Sequence, residues 1–297
     1  MERSFQSSKN DKVAILGSGF GIYGYLKALE KIKKIKILIN KSSISRIKKH
    51  KNKNELIKLN LDEIIKNSNT IIIAKRPSDQ TKLIYKIIKK NKELTLYLEK
   101  PIAQNPKKSL EVLKFLKKNK TNFKINYIFY YTKWFSDISK KSKLKNNEIT
   151  INWSFTNYNL NSWKFKKIFG GGIIRYYGIQ TIAIISAMGF NKCLSSNLKK
   201  YSKHKYSWNA IFENSNKNKF KVNFFLNYGK NLFTIYNNNR EIVNMENPFS
   251  KKKNNYKDDN RIKFLIKHMK NQRSLSIKDH TRIIQLWQKV EQKTKNV

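Results

Sequence analysis

The chain is poor in several residue types, and each shortage closes off a class of protein. It has one cysteine, Cys193, in 297 residues, so no disulfide can form within it. Its four histidines, His50, His204, His268 and His280, fall in no metal-ligand spacing. With a single cysteine a structural zinc site is not expected, no metal ligands are assigned, and the histidines read as surface residues. There is no run of 18 apolar residues, so no transmembrane helix and no membrane partner are expected. Met1 to Asp11 are polar and carry no apolar signal core. Together with the lone cysteine, this leads to the expectation of a reduced, cytoplasmic protein.

Acidic residues are also scarce. Asp and Glu number 19 against 64 Lys and Arg, a formal charge of +45. Such a balance suggests a nucleic-acid binder. The lysines, however, are spread over nearly every helical stretch, as in Lys31-Ile32-Lys33-Lys34 and Lys107-Lys108, and are mixed with Asn and Ile. That is a general compositional bias, not one patch. Weak binding to polyanions at low salt is expected, without a specific nucleic-acid partner. The polar stretch Ser250 to Asp259 reads as a solvated loop.

The chain is long enough for about two domains. In its first half, strand and helix patterns alternate, which argues for a parallel sheet with crossover helices. Strands are expected at Val13 to Leu16, Ile35 to Ile39, Thr70 to Ala74, Leu94 to Leu98 and Phe123 to Phe129. Helices are expected at Tyr23 to Glu30, Leu61 to Lys66, Ser78 to Lys90 and Pro106 to Lys118. The second half has a half-exposed strand at Glu148 to Phe155 and a long apolar helix from Gly170-Gly171-Gly172 to about Ala187. Alternating aromatic runs follow at Tyr206 to Glu213, Phe220 to Asn227 and Leu232 to Tyr236, and read as an antiparallel sheet. Helices at Arg261 to Met269 and Lys278 to Val290 close the chain. The fold class is therefore α/β: a doubly wound Rossmann domain, 1–122, then an α+β domain, 123–297, with a mostly antiparallel sheet.

The first strand ends in Gly17-Ser18-Gly19-Phe20-Gly21-Ile22-Tyr23-Gly24. Glycine directly after a buried strand allows a tight turn, a second leaves room for a ligand, and the helix start that follows can hold a pyrophosphate. In the register that starts at the strand end, Gly17 and Gly19 are in place and Ile22 stands where a third glycine belongs. A full match exists two residues later, at Gly19, Gly21 and Gly24. The first register is preferred because the first glycine should follow the strand. Phe20, Gly21 and Ile22 complete the expected cofactor turn. After the second strand come Asn40-Lys41-Ser42-Ser43-Ile44-Ser45-Arg46, with no carboxylate for ribose hydroxyls. Lys41, Ser42, Ser43 and Arg46 suit a 2′-phosphate, which favours NADP over NAD.

Two further strand ends carry Ala74-Lys75-Arg76-Pro77 and Glu99-Lys100-Pro101. In a doubly wound sheet these ends line the ligand crevice. A lysine held there can bind a substrate hydroxyl and move its proton.

These motifs, taken in order with Gly170-Gly171-Gly172 and Gly178, resemble the Gfo/Idh/MocA oxidoreductases, the glucose–fructose oxidoreductase and inositol dehydrogenase family. The resemblance spans most of the chain. It implies hydride transfer between NAD(P) and a hydroxyl or keto carbon of a sugar, nucleotide sugar or related cyclic substrate, and a homo-oligomer formed through the C-terminal sheet. Lys100 matches the family's active-site lysine, Glu99 would orient it, and Pro101 would shape the loop. Pro77, Glu99 and Lys100 would also border the cofactor. The family's second-domain helix reads Gly-Gly-Gly-x-x-x-Asp-x-Gly-x-His. Here the aspartate is Tyr176 and the histidine Gln180. Glutamine hydrogen-bonds but does not exchange a proton near neutral pH. Lys100, Tyr176 and Gln180 are thus the candidate catalytic set, with Arg175 available to a substrate carboxylate or phosphate. Tyr127 and Trp134 are candidates to stack on a sugar ring, but packing at the domain interface is their favoured reading; for Tyr176 and Tyr177 packing there is the other reading. The substituted aspartate and histidine also motivate an alternative, a nicotinamide-nucleotide-binding protein with a sensor or assembly role.

Overall fold

A computed structural model describes residues 11–32, 35–41, 43, 47, 56–157, 159–227, 229–250, 260–270 and 275–297. The chain divides into two compact units. The first comprises Met1–Ala103, Lys108–Asn126 and Arg261–Ile277; the second comprises Gln104–Lys107, Tyr127–Asn260 and Lys278–Val297. The break thus falls four residues after the expected 122/123, and a late helix joins the first unit.

In the first unit a six-stranded parallel sheet has the order β3-β2-β1-β4-β5-β6. Its strands are β1 (Asp11–Leu16), β2 (Ile35–Asn40), β3 (Leu56–Leu59), β4 (Thr70–Ile73), β5 (Thr95–Glu99) and β6 (Phe123–Asn126). Sequence order reverses between β1 and β4, which is the doubly wound switch point. Val13, Ala14, Ile15, Ile71, Ile72, Ile73, Leu96 and Leu98 are wholly shielded from solvent. Burial on both faces is why these segments read as continuous apolar runs.

Four helices flank the sheet strands in sequence. α1 opens with a π-helical turn, Gly21–Leu26, and continues as Lys27–Leu29. α2 (Leu61–Asn67) starts on a reciprocal cap, in which the Asn60 side chain accepts from the Glu63 N–H and Glu63 accepts from the Asn60 N–H. α3 (Pro77–Lys90) has proline at its first position, Asp79 in the first turn and Lys89 and Lys90 in the last, which suits the helix dipole at both ends. α4 (Pro106–Lys118) precedes β6. β3 was not legible because its four residues, Leu56-Ile57-Lys58-Leu59, do not alternate and none is buried, at the edge of the sheet. β6 stops at Asn126, opposite Glu99 at the end of β5. The apolar run continues, but Ile128–Tyr131 forms a 3₁₀ turn where a strand was expected.

The second unit is built on a seven-stranded sheet of order β12-β11-β7-β10-β9-β8-β13. These are β7 (Glu148–Phe155), β8 (Lys192–Lys200), β9 (Tyr206–Glu213), β10 (Lys219–Leu226), β11 (Leu232–Asn237), β12 (Arg240–Met245) and β13 (Thr294–Asn296). Pairing is antiparallel except for β7 with β10 and β8 with β13. Burial alternates along β7 and β10, so one face is apolar and the other polar. The apolar face presents Trp153, Phe155, Phe224 and Phe233, whose rings meet at 4.5–6.3 Å. The polar face carries a hydrogen-bonded row. Asn209 donates to Asn223 at 2.8 Å, Asn223 to Asn152 at 2.8 Å, and Asn152 to Thr234 at 3.3 Å.

α5 (Lys133–Lys141) follows the 3₁₀ turn, capped by Thr132. α6 begins as a second π-helical turn, Ile173–Gly178, and continues as Ile179–Ala187. Gly178 is required there: a Cβ would meet the Trp208 ring at 2.8 Å. The 21-residue stretch Lys167–Ala187 is apolar enough by composition to cross a membrane, yet 67% of its most apolar window is buried. It is a core segment of this unit. α7 (Arg261–Lys270) belongs to the first unit and α8 (Ile277–Lys293) spans almost wholly in the second.

Two of the histidines read as surface residues are in the interior. His268 is 5% exposed and His280 1%. His280 shares the buried stripe of α8 with Ile283, Ile284 and Trp287, at helical spacing. Burial pushes its imidazole down to about 4, against the pull of Asp279. In the unfolded chain a histidine titrates near its ordinary value of about 6.5. Between those values the unfolded state binds the extra proton, so stability is full above about pH 6.5 and falls as pH drops toward 4, by at most roughly 1.4 kcal/mol per pH unit. Urea midpoints at pH 7 and pH 5 check this, and His280→Phe is expected to flatten that part of the slope. Cys193 is buried as well, its thiol pushed up to about 11.

Candidate functional site

In the first unit the glycine turn sits at the carboxyl end of β1, beside β4. Each glycine has its own reason. A Cβ on Gly17 would lie 2.3 Å from the Ala74 carbonyl oxygen, so the turn closes directly against the end of β4. A Cβ on Gly19 would meet nothing within 4 Å, which leaves its backbone open to a ligand. A Cβ on Gly21 would come 3.0 Å from the Ile15 side chain. Helix–strand packing, the task of a third glycine, therefore falls to Gly21 and not to position 22. The π-helical turn that starts at Gly21 is where this helix departs from the regular spacing. Gly24 lies against the Phe20 ring, at 2.7 Å from an added Cβ. Phe20 also packs edge-on against Tyr23 and Tyr25. The Ile22 N–H turns back to the Gly19 carbonyl at 2.9 Å.

Beyond β2 the structure is less favourable to the expected phosphate contacts. Lys41 is exposed. Ser43 is fully buried, and its hydroxyl has no protein partner among the described residues. That side chain faces inward, not toward a ligand. Ser42 and Arg46 lie outside the described residues.

At the end of β5, Glu99 and Lys100 form a turn with a cis Lys100–Pro101 bond. The turn is clamped from α3. The buried Gln80 amide donates to the Glu99 carbonyl at 2.7 Å and accepts from the Glu99 N–H at 2.9 Å. The same amide reaches the Pro101 and Ile102 carbonyls at 3.3 and 3.2 Å. The Glu99 carboxylate accepts from the Tyr25 hydroxyl at 2.8 Å and from Asn126 Nδ2 at 2.7 Å. Burial raises the Glu99 carboxyl above the usual carboxylate range, opposed by Asn126, Lys100 and Tyr25. Pro77 caps the adjacent helix α3 at its first position and is buried. Tyr25, Gln80 and Asn126 were not singled out from the sequence, since nothing local marks them.

In the second unit, Arg175 does not offer its guanidinium to a substrate anion as expected. Glu291 already holds it in a bidentate pair, Nε to Oε1 at 2.8 Å and Nη2 to Oε2 at 2.7 Å. Nη1 donates to the Gln104 and Lys167 carbonyls at 3.0 and 3.3 Å. Tyr176 packs edge-on against Trp163 and Tyr177, with the Lys164 ammonium 5.2 Å from its ring centre. Tyr177 hydroxyl accepts from Asn157 at 3.0 Å, and its ring lies on Phe155. Gln180 is 4% exposed, on the same helix.

The two residues expected to stack on a sugar ring are core residues of this unit. Trp134 donates its indole N–H to the Pro248 carbonyl at 2.9 Å and packs on Phe129 and Phe233, both at 5.1 Å. Tyr127 is 2% exposed and lies against Tyr130 and His280. Wide aromatic side chains fill the core here, which accords with packing as the favoured reading of both residues. A cavity of about 240 Å³ opens elsewhere in the unit, lined among others by Phe165, Ile173, Tyr206, Leu226 and the Arg175–Glu291 pair. Among the described residues, no cluster of three or more His, Cys, Asp or Glu side chains is placed to hold a metal.

No protein-family model and no curated protein matches the sequence. Solved structures do match. The 3-ketoreductase KijD10 of Actinomadura kijaniata, solved with NADP and TDP-benzene, superposes with a TM-score of 0.74 at 10% identity, over 97% of this chain and 98% of that one. The WlbA (WbpB) dehydrogenase of Thermus thermophilus, solved with NAD and UDP-GlcNAcA, gives 0.69 at 12% identity over 96% and 95%. A myo-inositol dehydrogenase of Corynebacterium glutamicum gives 0.69 at 11% identity over 96% of both chains. At such identities the likeness speaks to the fold, and it runs nearly end to end. The chain has the fold of the Gfo/Idh/MocA-type dehydrogenases.

Proposed function

We propose that this protein is an NAD(P)-dependent oxidoreductase acting on a hydroxyl or keto carbon of a sugar, a nucleotide sugar or a related cyclic substrate. One observation carries the reading. Within a single unit, the glycine turn after β1 and Lys100 after β5 stand at the carboxyl edge of the same parallel sheet, on either side of the β1/β4 switch point. Ligands of open α/β sheets bind in that crevice. The nicotinamide and sugar ligands of the structures that share the fold agree with it.

The residues present fit a dinucleotide. Gly17 permits the close turn, Gly19 leaves the backbone bare, and the first N–H groups of α1 can bind the pyrophosphate. Phe20, Gly21, Ile22, Pro77 and Glu99 shape the surrounding wall. When bound, the nicotinamide supplies or accepts the hydride. Lys100 would hold the substrate oxygen and give or take its proton as that oxygen passes between hydroxyl and carbonyl. Tyr176 and Gln180 are the second unit's candidates for contact with the substrate. NADP is favoured over NAD because no carboxylate follows β2 and Lys41 is exposed there. The burial of Ser43 takes one support from that preference.

Calorimetric titration with NADPH and NADH tests the reading, and binding by neither overturns it. Gly17→Val is the matched control. Its side chain would collide with the Ala74 carbonyl, and it is expected to weaken binding by about 10- to 100-fold, the equivalent of roughly 1–3 kcal/mol of overpacking.

A further inference from the structure

The strand end that carries Lys100 is tied to α1 by a single phenol. Tyr25 is fully buried at the end of the π-helical turn. Its hydroxyl and Asn126 Nδ2 donate to one and the same oxygen, Oε1 of Glu99, at 2.8 and 2.7 Å. The Lys100 backbone N–H also donates to this carboxylate, and the Lys100 ammonium attracts it. Glu99 therefore stands between two opposed tendencies. Burial favours its neutral form, and donors favour its ionised form. Tyr25 keeps its own proton well above the ordinary phenol range, because it is buried and faces Glu99 and Tyr97. Its hydroxyl therefore stands to Glu99 as a donor.

We propose that Tyr25 is a positioning residue that holds Glu99 ionised beside Lys100; this rests on the reading of Lys100 as the proton-handling group. The groups facing the cluster are few. β5 contributes Tyr97, and the turn after it Lys100. β6 contributes Lys124, whose ammonium lies 5.6 Å from the Tyr97 ring centre. α7 contributes His268, whose ring is 5.8 Å from that of Tyr97. Of these, Lys100 acts on Glu99 directly, beside the two donors Asn126 and Tyr25. Tyr25→Phe removes one donor from Oε1 and keeps the ring that packs the helix. The charged carboxylate loses support, so its titration midpoint rises.

The test is a ¹³C NMR titration of the free full-length protein labelled at the glutamate carboxyls, with the Glu99 signal identified by its absence in Glu99→Gln. The Glu99 midpoint is expected to rise by about one pH unit in Tyr25→Phe, the shift that loss of one hydrogen bond to a charged group produces. Asn126→Ala, which removes the other donor from Oε1, is expected to move it in the same direction. A Glu99 midpoint unchanged in Tyr25→Phe overturns the proposal. If Tyr25→Phe does not fold, an unchanged midpoint in Asn126→Ala overturns it instead. Because the titration uses no cofactor or substrate, failure of nicotinamide binding would sink the oxidoreductase reading without touching this result, and the reverse also holds.

Discussion

Lys100→Ala is expected to lower turnover by about 10²- to 10⁴-fold, the usual span for loss of a general acid or base, with nicotinamide-cofactor affinity changed only a few-fold. The two halves of that expectation come from different features. The glycine turn belongs to β1 and α1, and its geometry does not depend on the lysine. The backbone of the Glu99 turn is fixed by Gln80 through carbonyl and N–H groups, so removing the Lys100 side chain leaves the turn in place. What disappears is the ammonium proposed to meet the substrate oxygen. Lys100→Arg sharpens the test. Arginine keeps the positive charge but holds its proton at all accessible pH. If lysine acts by moving a proton, Lys100→Arg should be nearly as slow as Lys100→Ala; if it acts only by charge, Lys100→Arg should keep most of the rate. Initial rates over a panel of sugars, nucleotide sugars and cyclitols, followed at the reduced nicotinamide absorbance, decide between them. Undiminished turnover in Lys100→Ala would remove the residue from the chemistry.

Much of the first unit was legible in the sequence, for a physical reason. Strands buried on both faces are continuous apolar runs, and β1, β4 and β5 stand out even in a lysine-rich chain. Glycine after β1 and Glu-Lys-Pro after β5 mark strand ends by the backbone geometry they allow. The illegible parts share a different character. β3, β8, β12 and β13 lie at or next to sheet edges, and residues such as those of Lys192–Lys200 carry no clear alternation. The helix expected from Tyr23 opens two residues earlier, at Gly21, as a π-helical turn that no regular period anticipates. The hydrogen bonds around Glu99 join residues 19, 27 and 74 positions apart, and such contacts leave no local signature. His280 was a lesser miss. Its place on the apolar stripe of α8 was visible in the spacing, and polarity alone suggested the surface.

Glu291→Ala is expected to cost the protein about 2–3 kcal/mol, more than a surface ion pair is worth and somewhat less than a fully buried one. Exposure decides the placement: the Arg175 and Glu291 side chains are 20% and 23% accessible. The geometry decides the sign. Glu291 accepts two parallel guanidinium bonds, and its Oε1 also accepts from the Trp287 indole N–H at 2.8 Å. The guanidinium in turn joins the start of α6 to the Gln104 and Lys167 carbonyls. Without Glu291 a largely buried cation retains only those two carbonyls. Without Arg175 a carboxylate is left with the indole alone. Each single loss strands a charge, whereas Arg175→Met combined with Glu291→Leu removes both and fills the space with apolar atoms. The double variant should therefore be more stable than the sum of the single losses, by a coupling of at least about 1.5 kcal/mol. Urea unfolding of the wild type, both single variants and the double variant closes the cycle. A coupling near zero would mean that the pair is a solvated surface contact. A value at or above the expected one would make Arg175 a tie between α6 and α8, and would account for an arginine at a position from which no substrate anion is needed.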